Sequence, residues 1–269
     1  MIKYRKTLMK GMVGEDVKIL QQFLGIEADG IFGIQTENAV KEWQSENGLV
    51  ADGIVGLKTW TKIVDSKVIA NDIIYDPLNI HITKIFNRSI KYIAIHYTAG
   101  ASSKQGSALN VKKVFESSRN ASADFCVDDV EIIQFNPDLN NYYCWAVGDS
   151  RNVFSLEGGY LYGIATNKNT ISIEICSNLK QGTSSKYPNH KGWTFTEEAL
   201  KNAIKLTKIL IEKYNIPIEN VIRHYDISGK VCPGIIGWNN EYIYTTDGKQ
   251  TTNRSNSEQW IEFKNLLKI

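Results

Sequence analysis

A nine-residue segment occurs twice near the start of the chain, 23 residues apart. It reads A-D-G-I-F-G-I-Q-T over 28–36 and A-D-G-I-V-G-L-K-T over 51–59. Each copy is a glycine-punctuated turn that opens into a run with helical periodicity. A further amphipathic helix precedes both copies, with an apolar face formed by Val17, Leu20, Phe23 and Leu24. The repeat therefore predicts a compact three-helix domain over residues 1–65, with a modest core built from its Trp and Leu residues.

The opening of this predicted domain adds a second motif, G-M-V-G-E-D-V-K-I-L-Q over 11–21. Together with the doubled A-D-G-I-x-G turn, it resembles the peptidoglycan-binding domain of bacterial and phage wall hydrolases. The resemblance spans most of residues 8–64 and implies that bacterial peptidoglycan is the partner of this domain. An unrelated three-helix module that serves only in packing is the alternative.

Composition excludes several other classes of protein. The 269 residues correspond to about two domains, and 42% hydrophobic with 22% charged residues is typical of a globular chain rather than a disordered one. The net charge of +2 is too balanced for a protein that mainly grips nucleic acid or an anionic membrane, so neither partner is expected. No apolar run approaches the roughly 18 residues of a transmembrane helix. The basic N-terminus lacks an apolar core behind it, so no signal peptide is expected.

The remaining chain mixes strand and helix patterns. We interpret residues 66–80 as a linker that becomes the first segment of a second domain over 81–269. Buried strands are predicted at 91–98, 123–127 and 170–176, with shorter strands at 131–136 and 142–147. Amphipathic helices are predicted at 196–214 and 257–267. This order predicts an α+β or α/β fold, in which a small three-helix N-terminal module precedes a mixed central sheet flanked by helices.

The chain contains four cysteines and four histidines. The cysteines are too few for a disulfide scaffold and form no C-x-x-C pair. Cys126, Cys144 and Cys176 lie in apolar or aromatic strand-like segments, where buried free thiols are expected. His81 and His190 are expected to be ordinary surface or structural residues.

His96, His224 and Cys232 stand apart from these residues. His96 ends the strand pattern I-A-I-H and His224 ends V-I-R-H, while Cys232 follows His224 by eight residues on a loop. Two imidazoles and one thiolate suit zinc, and three protein ligands leave its fourth tetrahedral position open to water. From the spacing alone, two ordinary core histidines remain the alternative.

Three sequence blocks in the second predicted domain bear on this choice: I-A-I-H-Y-T-A-G, I-S-I-E-I-C and R-H-Y-D-I-S-G-K-V-C-P. In this order they resemble the signature blocks of the zinc-dependent, type 2 N-acetylmuramoyl-L-alanine amidases, whose fold is shared with the animal peptidoglycan recognition proteins. The resemblance implies one zinc ion per chain, with His96, His224 and Cys232 as metal ligands. It also implies Glu174 as the catalytic acid and base, and Lys230 as a second catalytic residue.

Glu174 and Lys230 suit these roles on physical grounds. Glu174 projects to the opposite face of its strand from the neighbouring isoleucines, and burying an unpaired acid in so apolar a strand is unfavourable. We expect it to take a proton from water and deliver it to the leaving amine, with a structural ion pair as the alternative. We expect Lys230 to stabilise a tetrahedral oxyanion, with an ordinary solvated lysine as the alternative.

Two positions depart from the family pattern. Asp124 and Ala146 stand where relatives commonly have histidine, although neither is a metal ligand in the resemblance. The Gly- and Tyr-rich stretch 150–169 is interpreted as an insertion that lines the cleft. Arg223 and Asp226 are expected to orient the ligand histidine.

The resemblance predicts an enzyme, namely a peptidoglycan hydrolase. It would cut the amide bond between the lactyl group of N-acetylmuramic acid and the L-alanine of the stem peptide. The layout is similar to that of phage endolysins, so we expect a cytoplasmic protein that reaches the wall after a holin opens the membrane. A bacterial or prophage autolysin exported by another route is the alternative for this context.

Two other functions remain as alternatives. One is a peptidoglycan receptor without activity, although such receptors typically lack the cysteine ligand that this chain keeps as Cys232. The other is a zinc endopeptidase of a different fold, for which the H-E-x-x-H motif is missing from the sequence.

Overall fold

The computed structural model divides the chain into two compact units, Met1–Asn71 and Asp72–Ile269. The residues that it describes are 7–56, 58–60, 62–63, 73–100, 103–117, 119–148, 158–180, 187–239, 242–244, 249–252 and 257–268. Among these residues, no helix is both long enough and apolar enough to cross a membrane.

The N-terminal unit is helical. Helix α1 spans Glu15–Leu24, helix α2 spans Ile34–Glu46, and residues 58–60 and 62–63 are also helical. Short antiparallel bridges join the connecting segments. The buried apolar core consists of Leu8, Val17, Leu20, Phe32, Val40, Val55, Trp60 and Ile63. The predicted small helical module is therefore confirmed as the fold of this unit.

A buried glutamine explains why the A-D-G-I turn is repeated. The side-chain amide of Gln21 donates to Asp29 Oδ1 at 2.7 Å and to Thr36 Oγ1 at 2.9 Å, and it accepts from Gly30 N at 2.8 Å. Gln44 makes the same three bonds in the second copy, to Asp52, Thr59 and Gly53. The turn glycines have φ values of 79° and 76°, which a residue with a Cβ rarely adopts.

The second unit is built on a six-stranded sheet. Its strands are β1 (Ile73–Tyr75), β3 (Tyr92–Tyr97), β4 (Phe125–Val127), β5 (Ile132–Gln134), β7 (Thr170–Ile175) and β10 (Val221–Arg223). Their order across the sheet is β1-β5-β4-β7-β3-β10. All neighbouring pairs are parallel except β4 and β5, which are antiparallel.

Among the described residues of this unit, three two-stranded ladders account for the other strands. They pair β2 (Ile82–Lys84) with β6 (Tyr142–Cys144), β8 (Asn178–Leu179) with β9 (Trp193–Thr194), and β11 (Tyr242–Tyr244) with β12 (Gln250–Thr252). The helices are α3 (Ser107–Phe115), α4 (Glu197–Tyr214), α5 (His224–Ser228) and α6 (Glu258–Leu266).

Helices cover both faces of the sheet. One apolar cluster joins α4 and α6 to Phe125, Val127 and the isoleucines of β3 and β7. A second cluster joins α3 to Cys126, Ile133 and Cys176. Because successive residues of a strand point to opposite faces, the two clusters lie on opposite sides of the sheet. The predicted mixed sheet flanked by helices is confirmed, and Cys126, Cys144 and Cys176 are buried and free, as expected.

Local sequence signals located most of these elements. The helix predicted at 196–214 begins at Glu197, and the hydroxyl of Thr196 accepts a hydrogen bond from Ala199 N at 3.2 Å. Helix α3 was not predicted. Its first turn is held by Asp128, which accepts from Ala108 N at 3.1 Å and comes from a distant part of the chain.

One local expectation is wrong, because His224 is the first residue of α5 and does not end a strand.

Asp124, one of the two departures from the family pattern, forms a buried ion pair with Arg88 at 3.2 Å. Neither side chain is more than 1% exposed. Arg88 also donates to the backbone carbonyls of Tyr142 and Thr170, at the ends of β6 and β7. Asp124 in turn accepts from the backbone N–H of Ser172 in β7 at 2.8 Å. The pair therefore joins β6 to β7, and Asp124 directly precedes β4.

We expect Arg88→Met to lower the free energy of unfolding of the second unit by about 3–5 kcal/mol, because it leaves the Asp124 carboxylate buried without a counter-charge. The double variant Arg88→Met/Asp124→Asn removes that charge and should recover part of the loss. Denaturant unfolding of the three proteins measures both effects. Equal stability of the single and double variants would contradict the ion-pair interpretation.

Candidate metal centre

His96 and Glu174 lie side by side on adjacent strands. The parallel pairing of β3 and β7 aligns His96 with Glu174, so the two side chains project from the same face of the sheet. On the other side of β3, β10 pairs Arg223 with Ile95. The next residue, His224, therefore emerges beside His96, and the centroids of the two imidazole rings are 4.7 Å apart.

Cys232 reaches the same place on a returning loop. Helix α5 ends at Gly229, whose φ of 77° turns the chain back. The loop is then fixed where Tyr225 N donates to Cys232 O at 2.9 Å. The sulfur atom lies 3.8 Å from His96 Nδ1.

His96, His224 and Cys232 together form a set of potential metal ligands. One ligand atom from each lies within 4.8 Å of the others, and all three residues are buried. Among the described residues, this is the one group of three or more His, Cys, Asp or Glu side chains arranged in this way. His81 and His190 do not belong to it: His81 contacts Phe115 O at 2.8 Å, and His190 is buried, with Nδ1 accepting from Gly192 N at 2.9 Å.

The orientation of His224 is set by a carbonyl group. Its Nε2 lies 3.1 Å from Val147 O. Because a carbonyl oxygen only accepts, Nε2 carries the proton in this bond, and Nδ1 remains as the potential ligand atom. Arg223 and Asp226 fix the backbone at the same point, since Asp226 Oδ2 accepts from Arg223 N at 2.7 Å and the guanidinium binds the same carboxylate.

The electrostatics favour neutral imidazoles. Burial lowers the pKa of His96 well below 6.5 and that of His224 to about 3, and the charge of Lys230 acts in the same direction on both. Neutral imidazole is the form that binds a metal ion. Burial raises the pKa of the Cys232 thiol to about 12, and Lys230 partly opposes this rise. A metal ion would therefore displace a proton from Cys232 on binding.

Glu174 has one buried and unpaired oxygen beside these ligands. Burial raises its pKa to about 7, while the charges of Lys230 and Arg119 lower it. Its Oε2 and His96 Nε2 are both buried and have no hydrogen-bond partner. Such buried polar atoms are rare in folded proteins. Two imidazoles, one thiol and unpaired polar atoms together fit a metal ion of the zinc type.

Lys230 and Arg119 are exposed cations at this site. The charge of Lys230 lowers the pKa of Glu174 and of all three potential metal ligands. Sequence reasoning did not single out Arg119. Its charge lowers the pKa of Glu174 and of Cys232, but an isolated arginine in a polar segment gives no signal of this.

The structure shows contacts of Ala146, of Asp124 and of the predicted insertion 150–169. Ala146 N donates to Asn167 Oδ1 at 3.0 Å, and Asp124 is held in its ion pair with Arg88. Of the predicted insertion, residues 150–157 lie outside the described residues. Its later part packs on α5, where Gly159 N donates to Tyr225 O at 2.9 Å.

The mixed sheet and the His–His–Cys group at its edge define the class of the type 2 amidase domain. Comparison with protein families agrees: residues 86–235 match the family described as N-acetylmuramoyl-L-alanine amidase, and residues 13–63 match the family described as putative peptidoglycan binding domain. Since the first match covers more than half of the chain, the chain belongs to the N-acetylmuramoyl-L-alanine amidase family.

Two curated relatives illustrate the similarity. The chain is 30% identical to the N-acetylmuramoyl-L-alanine amidase CwlH of Bacillus subtilis, over 53% of this chain and 46% of the relative. It is 31% identical to the N-acetylmuramoyl-L-alanine amidase XlyA of the same species, over 53% of this chain and 39% of the relative. The match thus spans less than half the length of these relatives.

Two solved structures are similar as well. The catalytic domain of XlyA is 25% identical, with a TM-score of 0.48, and the match covers 73% of this chain and 99% of that domain. PlyL is 25% identical, with a TM-score of 0.47, and the match covers 73% of this chain and 97% of PlyL.

Proposed function

We propose that the chain is a zinc-dependent N-acetylmuramoyl-L-alanine amidase. It hydrolyses the amide bond between the lactyl group of N-acetylmuramic acid and the L-alanine of the stem peptide in bacterial peptidoglycan. One zinc ion per chain is held by His96, His224 and Cys232. The observation that carries the proposal is the buried His–His–Cys group beside a carboxyl group whose pKa is about 7, within the segment that matches the amidase family.

Glu174 moves the proton in this reaction. A zinc ion in such a site supplies a Lewis acid for the scissile carbonyl and lowers the pKa of a water molecule to about 7. Glu174 accepts the proton of the attacking water at its carboxylate and delivers it to the leaving amine. A pKa of about 7 suits both steps, because the group is readily ionised and readily protonated at neutral pH.

The positive charges at the site bind the developing negative charge. Lys230, whose positive charge acts on Glu174 and on the potential metal ligands, stabilises the oxyanion that forms when water attacks the carbonyl carbon. The N-terminal unit binds the peptidoglycan polymer and holds the catalytic unit on it. The expected route is that of an endolysin, with the protein cytoplasmic until its release to the wall.

A peptidoglycan receptor without activity is the second candidate function. It would bind the same polymer but would not need a proton-transfer group. Glu174, with its raised pKa and unpaired oxygen, favours the enzyme.

Zinc binding should release one proton from the Cys232 thiol. Because the pKa of this thiol is about 12, while that of His224 is about 3 and that of His96 is well below 6.5, the thiol is the one potential ligand of the three that must lose a proton to bind zinc near neutral pH. The zinc affinity should therefore rise about tenfold for each unit of pH increase around neutrality. Calorimetry in buffers of different ionisation enthalpy counts the proton.

His224→Ala should lose zinc, whereas the control His81→Ala should retain it, and full retention by both variants would contradict the ligand assignment.

Glu174→Gln should lower kcat by about 10²–10⁴-fold, since it keeps the side-chain size and removes the proton acceptor. The KM and the zinc content should change little, because proton transfer belongs to the transition state. Turnover of a defined muramoyl peptide and metal analysis measure these quantities, with Glu197→Gln on the exposed surface of α4 as the matched control. A folded, zinc-loaded and fully active Glu174→Gln protein would rule out this mechanism.

Deletion of residues 1–71 should weaken the lysis of whole walls and leave the hydrolysis of small muropeptides nearly unchanged. The N-terminal unit raises the effective concentration of the catalytic unit on the polymer, which a small substrate does not need. A pelleting assay with purified walls measures binding, and thermal melting confirms that the truncated protein is folded. Equal wall binding by both proteins would contradict the anchoring role.

A further inference from the structure

Helix α6 contacts two segments of the chain. One carries His224 and the other carries Cys232. Trp260 N donates to Gly237 O at 3.0 Å, and the Trp260 ring lies 5.2 Å from that of Trp238, between centroids. Gly237 and Trp238 belong to the segment that follows Cys232. Gly237 leaves room for this contact, since a Cβ there would lie 2.7 Å from the Gln259 side chain.

Arg223 connects the same helix to His224. Its guanidinium carbon lies 5.5 Å from the centroid of the Trp260 ring and 4.9 Å from that of Tyr225. The guanidinium also donates to the Asp226 carboxylate and to Trp238 O. Arg223 is 8% exposed and Trp260 is 7% exposed, so this cation–π contact is largely removed from water. Cation–π contacts are stronger when they are desolvated.

The contact between Arg223 and Trp260 bears on the position of His224. Arg223 directly precedes His224, whose Nε2 is 3.1 Å from Val147 O. Because the two residues share a peptide bond, a change in the backbone at Arg223 would alter the direction in which the His224 side chain projects. The Trp260 ring limits the movement of the guanidinium, while Asp226 holds it in the plane of its hydrogen bonds.

We propose that Trp260 is a positioning residue for the metal centre, acting on His224 through its contact with Arg223. The proposal rests on the proposed zinc site. Trp260 lies beyond residue 235, where the match to the amidase family ends. The alternative is that Trp260 only fills the apolar core, as Phe263 does on the same helix, where the two rings stack at 5.5 Å.

Three substitutions separate the two roles. Trp260→Leu removes the aromatic face from Arg223, Trp260→Phe retains one, and Phe263→Leu disturbs the same core without touching Arg223. Zinc affinity is measured by competition with a chromophoric chelator. The visible spectrum of the cobalt-substituted protein reports the ligand geometry, and thermal melting reports stability.

We expect Trp260→Leu to weaken zinc binding about tenfold, as is typical when a partner of a metal-binding histidine is lost, and to change the cobalt spectrum. Trp260→Phe should restore most of the affinity. Phe263→Leu should lower the melting temperature and leave the zinc affinity and the cobalt spectrum unchanged.

The proposal is overturned if Trp260→Leu binds zinc with unchanged affinity and spectrum, or if Phe263→Leu weakens binding as much as Trp260→Leu does. Neither result would affect the proposed amidase function. Failure of the unsubstituted protein to bind zinc would overturn both. Should Trp260→Leu not fold, Arg223→Lys carries the test, since it keeps the charge and loses the planar contact with Trp260. Unchanged zinc affinity in that variant overturns the proposal.

Discussion

The register between β3 and β7 is the constraint on which the site depends. The two strands align residue by residue along their whole length, and this alignment sets His96 beside Glu174. On the other side of β3, the pairing with β10 delivers His224 to the same edge of the sheet. A shift of one residue in β7 would turn Glu174 toward the face covered by α4 and α6, and an isoleucine would take its place. Strand pairing therefore determines the distance between the potential metal ligands and Glu174, the proposed proton-transfer group.

Burial at this edge moves the titrating groups in opposite directions, and both directions serve the chemistry. Removal from water disfavours the charged form of every group, so the pKa values of His96 and His224 fall while that of Glu174 rises to about 7. The imidazoles remain neutral and able to bind a metal ion, and the carboxyl group exchanges its proton near neutral pH. Lys230 and Arg119 limit the rise at Glu174. One environment thus gives the two neutral imidazoles and the titratable carboxyl group that the proposed reaction requires.

The sequence predicted the features that depend on neighbouring residues. Helical periodicity and the Thr196 cap located α4, and apolar runs located β3 and β7, because these signals lie within the segment that folds. The residues of the candidate metal centre came from sequence blocks, and the structure brings His96, His224 and Cys232 together. The sequence did not reveal α3, which Asp128 caps from a distant segment. Arg119 was also missed, because its relation to Glu174 exists only after the chain has folded.

Asp124 shows that the role of a residue depends on the side chains and backbone groups that it contacts in the folded chain. By the family resemblance, histidine is common at this position. The structure instead gives Asp124 a buried guanidinium as its partner and the N–H of Ser172 as a donor. Ser172 lies two residues before Glu174 in β7, so the two side chains project from the same face of the strand. The ion pair therefore fixes the strand that carries Glu174, the proposed general base, and this departure from the family pattern supports the register on which the candidate site depends.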